Sequence, residues 1–153
     1  MINVLFVSPS SMPLFQIDEL LGDQNELLAP KFETPTGLIE LASYTRNKLN
    51  YVNFELLDLA KDLSAYHRNL ADNSPTDYRG FVGRLLSQVV TIPDVIGISI
   101  LFSSSYLSSI KLAEIIKKKW PTTKVIFGGG HVTFYHSTVF KDSDFVDYVF
   151  VGE

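Results

Sequence analysis

Short apolar runs, separated by longer amphipathic stretches, set the pattern of this chain. Five runs are nearly continuous in apolar character, which is typical of parallel strands that helices cover on both faces. They predict strands at Asn3–Val7, Asn53–Asp58, Val95–Leu101, Lys124–Phe127 and Tyr148–Val151.

Between these runs, apolar residues recur at helical spacing. One face of a helix is predicted from Leu38, Leu41, Ala42, Thr45 and Leu49, with Thr34 as its cap and Pro35 in its first position. A second helix, with the start signal Ser74-Pro75-Thr76-Asp77, is predicted from Tyr78, Phe81, Val82, Leu85, Leu86 and Val89. A third is predicted from Ile110, Ala113, Ile116 and Lys117 and ends at Trp120-Pro121. Shorter helices are predicted around Ile17–Leu21 and Thr133–Phe140.

The alternation of strand and helix predicts an α/β fold in a single domain, residues 1–153. We expect a doubly wound, five-stranded parallel sheet with the flavodoxin-like (Rossmann-like) strand order 2-1-3-4-5. Two connections, Ser8–Glu33 and Leu59–Pro75, are much longer than the usual strand–helix loop of about 2–6 residues. The first of them leaves the carboxyl end of the first strand, where ligands bind in this architecture.

The loops after the strands are rich in hydroxyls and glycine and poor in acids. They read Ser8-Pro9-Ser10-Ser11, Phe102-Ser103-Ser104-Ser105, Gly128-Gly129-Gly130-His131 and Gly152-Glu153. Such an edge suits a large ligand that needs hydrogen bonds and close backbone approach. Interpretations that need no ligand stay open. The glycines also suit a tight turn, the serines could cap a helix, and His131 could be structural or solvated.

Composition narrows the possible functions. The net charge is −4 and the one basic run, Lys117-Lys118-Lys119, lies at a predicted helix end, so a nucleic-acid partner is not expected. The chain has no cysteine, which excludes thiolate metal or iron–sulfur ligation by these residues. No signal peptide or membrane span is apparent, and we expect a cytoplasmic protein that does not bind a membrane. No hydrolytic constellation stands out, so we expect no catalytic or metal-ligating residues here.

Five segments in order resemble one family. They are the strand ending in Ser8-Pro9, the stretch Pro35-Thr36-Gly37-Leu38-Ile39-Glu40-Leu41-Ala42-Ser43-Tyr44, the stretch Pro93-Asp94-Val95-Ile96-Gly97-Ile98-Ser99, the Gly128–His131 loop, and Asp147-Tyr148-Val149-Phe150-Val151-Gly152-Glu153. Together they resemble the N-terminal cobalamin (B12)-binding domain of B12-binding radical S-adenosylmethionine (SAM) proteins. Each segment alone is weakly specific; the order carries the resemblance.

The resemblance implies that cobalamin is the cofactor and gives each loop a use. Ser99-Ile100-Leu101 matches an SxL element beside the nucleotide tail, and Gly128 and Gly129 match paired glycines that let the tail approach the backbone. The Pro9–Ser11 and Thr36-Gly37 loops would face the corrin ring. The cofactor-binding residues expected from loops and resemblance together are Pro9, Ser10, Ser11, Thr36, Gly37, Ser99, Leu101, Ser103, Ser104, Gly128, Gly129, Gly130, His131, Gly152 and Glu153.

The resemblance also implies a partner domain. Gly152-Glu153 would begin a GEGE-type segment leading into a radical SAM barrel, where a CxxxCxxC motif would hold a [4Fe-4S] cluster and S-adenosylmethionine would bind. The full protein would then be an enzyme of methyl transfer or related radical chemistry, while these residues alone would have no turnover. Classical cobalamin domains carry DxHxxG after the first strand, but no histidine lies between Val7 and Thr34. We therefore expect no histidine on the lower face of the cobalt.

Two other classes remain open. A flavodoxin-like domain for a flavin or another phosphate-bearing ligand would want a glycine- and hydroxyl-rich loop after the first strand. Ser8-Pro9-Ser10-Ser11 has the hydroxyls but lacks glycine, and its proline removes a donor. A receiver-like switch needs acids at the ends of strands one and three, where Val7-Ser8 and Ser99-Ile100 offer none. A ligand-free interaction module is harder to separate from the leading interpretation.

Overall fold

A computed structural model describes residues 1–23, 34–68 and 75–152. Its sheet has five parallel strands in the order β2-β1-β3-β4-β5, which confirms the predicted flavodoxin-like arrangement. The strands are β1 (Ile2–Ser8), β2 (Val52–Asp58), β3 (Val95–Ser99), β4 (Lys124–Gly128) and β5 (Tyr148–Val149). β3 and β5 are each two residues shorter than the apolar runs that predicted them.

Six helices lie in the described parts of the chain: α1 (Leu14–Gly22), α2 (Thr36–Lys48), α3 (Leu59–Arg68), α4 (Tyr78–Ser87), α5 (Tyr106–Lys119) and α6 (Gly130–Asp142). Every helix predicted from spacing is present. α4 begins as expected, because the Asp77 carboxylate accepts a hydrogen bond from the Gly80 N–H at 2.7 Å. Ser74 lies outside the described residues.

Two helix predictions need correction. Thr34 does not cap α2: Pro35, at ψ 66°, holds the N-cap position, and the helix begins one residue later than expected. Leu41, placed on the inward face, is 49% exposed, whereas Leu38, Ala42, Thr45 and Leu49 are half-buried as predicted. The helix α3 was missed, because it follows β2 directly at Leu59 without turn residues between them.

One face of the sheet, here called the covered face, holds the core. It carries fully or nearly fully buried side chains from the strands, namely Leu5, Val7, Ile96, Ile98, Val125 and Phe127. These pack in one cluster with buried residues of α1, α3, α4, α5 and α6. Right-handed crossovers explain the position of α3, α4, α5 and α6, since the connections from β2 through β5 all advance in the same direction across the sheet.

The opposite face, here called the open face, is less covered. It carries Val4, Phe6, Phe54, Gly97 and Ile126, the alternate residues along the same strands. Two described helices, α1 and α2, lie in the connection from β1 to β2, which runs in the other direction across the sheet. α1 packs in the core cluster, whereas none of the residues of α2 is buried. Phe6 stacks on Phe54 with ring centroids 5.4 Å apart, and a Cβ on Gly97 would lie 3.0 Å from the Phe6 ring. The open face is therefore apolar and thinly protected.

No helix in residues 1–23, 34–68 or 75–152 combines the length and apolar character that crossing a bilayer requires.

Candidate cofactor-binding site

The carboxyl ends of β1, β2 and β3 border a cleft of about 430 Å³ that is closed on one side by the start of α2. Parallel strands bring their following loops to one edge, so this is the expected ligand position for the fold. Six predicted binding residues line the cleft: Pro9, Ser11, Thr36, Gly37, Ser99 and Leu101. The other lining residues are Ser8, Thr34, Pro35, Leu38, Asp58, Ala60, Phe102 and Ser105.

The two serines of the loop after β1, Ser10 and Ser11, have different surroundings. Ser11 lies in the cleft wall, whereas Ser10 is only 2% exposed and its hydroxyl accepts a hydrogen bond from the Met12 N–H. Ser10 therefore shapes the turn into α1, and the structure places it away from the cleft.

The three serines after β3 form a short 3-10 turn, Ser103–Ser105, that leads into α5. Ser105 holds the N-cap position of α5, but its hydroxyl donates to the Phe102 carbonyl at 2.8 Å and makes no cap bond. The Ser104 hydroxyl donates to the Ser11 carbonyl at 2.6 Å. That bond joins the β3 loop to the β1 loop, so Ser104 helps to hold the cleft wall in place.

The loop after β4 is held against the end of β3 by backbone hydrogen bonds. The Ile100 N–H donates to the Gly128 carbonyl at 2.7 Å, and the His131 N–H donates to the Ile100 carbonyl at 3.0 Å. Gly129 has φ 98°, and a Cβ there would lie 2.6 Å from the Ile100 oxygen. The fold itself thus requires glycine at this position, independently of any ligand.

Gly128 and Gly130 are not crowded in this way. A Cβ on Gly128 would make an ordinary contact, 3.7 Å from the Phe150 Cβ, and one on Gly130 would lie 3.6 Å from the Leu101 oxygen. Gly128 is the cross-strand neighbour of Ser99, and both residues lie on the open face. Because Gly128 has no side chain, space is left above the sheet beside Ser99.

His131 lies between two tyrosine rings, with centroids 4.7 Å from Tyr106 and 4.9 Å from Tyr135. Its Nδ1 is 3.0 Å from the Ser103 hydroxyl, and burial lowers the pKa of its imidazole, which favours the neutral form. The Tyr106 hydroxyl donates to Asp142 at 2.7 Å. Burial, and after it this bond, raises the pKa of Tyr106 to about 12. His131 therefore belongs to an aromatic cluster beside the cleft and is not part of its wall.

Gly152, the last predicted site residue that the structure describes, lies near the start of α6. Gly152, at φ 99°, donates its N–H to the Thr133 hydroxyl at 3.2 Å and does not reach the cleft wall. Glu153 lies outside the described residues.

Asp58 is a lining residue that sequence reasoning missed. It ends β2 beside the end of β1, and it also borders a second cleft of about 310 Å³. The wall of that second cleft consists of Thr34, Pro35, Ile39, Leu56, Asp58, Lys61 and Asp62. The predicted strand Asn53–Asp58 already ended at this residue, so its place at the ligand edge could have been inferred from the strand order.

Residues 83–153 match the family model described as the B12 binding domain. No curated protein matches the chain. The matched segment contains β3, β4 and β5 with their loops, and therefore Ser99, Leu101 and the glycines of the β4 loop. The parallel five-stranded layout is consistent with that domain, and the match supports cobalamin binding.

Proposed function

We propose that this chain binds cobalamin at the carboxyl edge of its sheet and serves as the cofactor module of a B12-dependent radical SAM enzyme. The observation that carries the proposal is that the B12-binding match covers the strands and loops on one side of the cleft of about 430 Å³. Cobalamin supplies a cobalt centre able to relay a methyl group or to support radical chemistry. The residues described here would hold and orient that group.

The composition of the cleft fits the corrin part of the cofactor. Pro9, Ser11, Thr36 and Gly37 would face the ring, since they line the cleft between β1 and the start of α2. Their hydroxyls and backbone groups can bond polar side groups, and Leu38, Leu101 and Phe102 offer apolar contact. The cleft lies open at the sheet edge, which suits a ligand larger than the cleft itself.

The nucleotide tail would descend from the cleft along the open face, past the neighbours Ser99 and Gly128. Two aromatic residues border this path, because Phe6 packs on Gly97 and Phe150 lies beside Gly128. A hydroxyl next to a position without a side chain, on an apolar surface, suits a planar base with polar edges. Gly129 would contribute by holding this loop to β3, with no need to touch the ligand.

Membership in a radical SAM protein rests on the ordered resemblance of the five segments. In the full protein, a barrel that binds S-adenosylmethionine and a [4Fe-4S] cluster would follow Glu153. The nucleotide sequence beyond codon 153 tests this part. We expect an in-frame CxxxCxxC motif, and an open reading frame that continues for a domain's length without it would contradict the proposal.

Cobalamin binding is tested on the purified chain. We expect hydroxocobalamin to remain bound through desalting, and flavin mononucleotide in excess not to displace it. Retention of the flavin in place of the corrin would favour the flavodoxin-like alternative. That alternative is weakened by the β1 loop, where Pro9 lacks an N–H and no glycine is present.

A further inference from the structure

One carboxylate stands at the junction of the two clefts. Among the described residues, Asp58 is the ionisable residue in the wall of the main cleft, and it also lines the second cleft. It ends β2 next to Ser8, its registered neighbour in β1. A ligand that fills the cleft above β1 and extends towards β2 would therefore meet this charge.

The Asp58 carboxylate is only partly used by the fold. One oxygen, Oδ1, accepts a hydrogen bond from the Lys61 N–H at 3.1 Å and so begins α3. Within residues 1–23, 34–68 and 75–152, no hydrogen bond occupies Oδ2. Burial, and after it the charge of Asp58, raises the pKa of the neighbouring Asp62. Two carboxyl groups therefore share the second cleft with the Lys61 ammonium.

The periphery of the corrin ring carries neutral carboxamide side chains, whose N–H groups are hydrogen-bond donors. A carboxylate accepts such bonds strongly because its charge assists them, and it repels a second carboxylate. We propose that Asp58 accepts a hydrogen bond from a corrin carboxamide, and that it thereby selects fully amidated corrinoids over those bearing a free carboxylate at that position. This inference rests on the proposed cobalamin function.

The same charge favours one orientation of the cofactor. The nucleotide tail contains an anionic phosphodiester, which Asp58 repels. Placing the carboxamide edge over β1 and β2 keeps that phosphodiester on the β3–β4 side, near Ser99 and Gly128. The negative charge of Asp58 then faces the neutral carboxamides, and the anionic phosphodiester lies on the side of the site away from that charge.

The experiment compares binding of cyanocobalamin with that of its b-, d- and e-monocarboxylic acids, which keep the tail and differ by one ionised group. The variant is Asp58→Asn, which removes the charge and keeps a side-chain oxygen able to begin α3. Asp77→Asn is the matched control, because Asp77 also begins a helix through its side chain but lines neither cleft. Dissociation constants come from visible-absorbance titrations.

We expect the unaltered chain and Asp77→Asn to bind at least one monoacid about tenfold more weakly than cyanocobalamin, with the preference largely lost in Asp58→Asn. Equal affinity of the unaltered chain for all four corrinoids, or a preference that persists in Asp58→Asn, would overturn the inference and leave cobalamin binding intact. Failure of the unaltered chain to bind any of the four would instead overturn the proposed function, and the inference with it.

Discussion

Gly129 lies against the backbone of Ile100 so closely that a single added carbon would come within 2.6 Å of the Ile100 oxygen. Its φ of 98° also belongs to a region that side chains disfavour. Since Ile100 directly follows β3, this contact sets the distance between the two loops that flank the proposed nucleotide path.

Replacing Gly129 by alanine should therefore destabilise the chain by about 1–3 kcal/mol, through backbone strain and the clash with Ile100. Urea unfolding followed by circular dichroism measures the change in the free energy of unfolding. Gly130→Ala is the control, because a Cβ there meets the Leu101 oxygen only at 3.6 Å. Equal losses in the two variants would show that the Ile100 contact is not what requires glycine.

Asp147 connects α5, β4 and the entry to β5. Its carboxylate contacts Lys117 at 2.6 Å and Lys124 at 3.2 Å, and it accepts a hydrogen bond from the Val125 N–H at 2.8 Å. Burial alone would raise the pKa of Asp147, but these three partners together lower it.

A lowered folded-state pKa means that the stabilisation is present above the unfolded value of about 3.9 and is lost as the pH falls through the folded value. At pH 7, Asp147→Asn should lower the free energy of unfolding by about 1 kcal/mol. The loss is modest because the Asp147 carboxylate and its lysine partners are partly solvated. Unfolding free energies at pH 7 and at pH 3 measure this, and the gap between variant and unaltered chain should narrow at the lower pH. A gap that stays constant or widens on acidification would contradict the role assigned to the Asp147 charge.

His131 is expected not to ligate cobalt. Its ring lies between Tyr106 and Tyr135, with Nδ1 at the Ser103 hydroxyl, and it does not line the cleft. The visible spectrum of the cobalamin-loaded chain should therefore be the same in His131→Ala as in the unaltered chain. His136→Ala, on the same helix, is the control for general effects on α6. A histidine-ligated spectrum that disappears only in His131→Ala would refute the expectation.

The fold was largely predictable because its strands are buried on the covered face and leave apolar runs in the sequence. The helix α3 was not, since Asp58 both ends β2 and begins α3, so no turn residues mark the boundary. The site was harder to predict for a related reason. Loop composition could not separate Ser10 and Gly129, which serve the fold, from Ser11 and Gly128, which are free to meet a ligand.

The central claim is that cobalamin binds across the cleft and the adjoining open face. Its most direct test is the visible spectrum, after desalting, of the unaltered chain, Gly128→Leu and Gly83→Leu, each incubated with hydroxocobalamin. The backbone accepts a Cβ at both positions: one on Gly128 would meet Phe150 only at 3.7 Å, and one on Gly83 would have nothing within 4 Å. We predict retained corrin absorbance in the unaltered chain and in Gly83→Leu, and a loss of at least about tenfold in affinity in Gly128→Leu, because leucine would fill the space beside Ser99. Absence of corrin absorbance in the unaltered chain, or full retention by Gly128→Leu, would contradict the account.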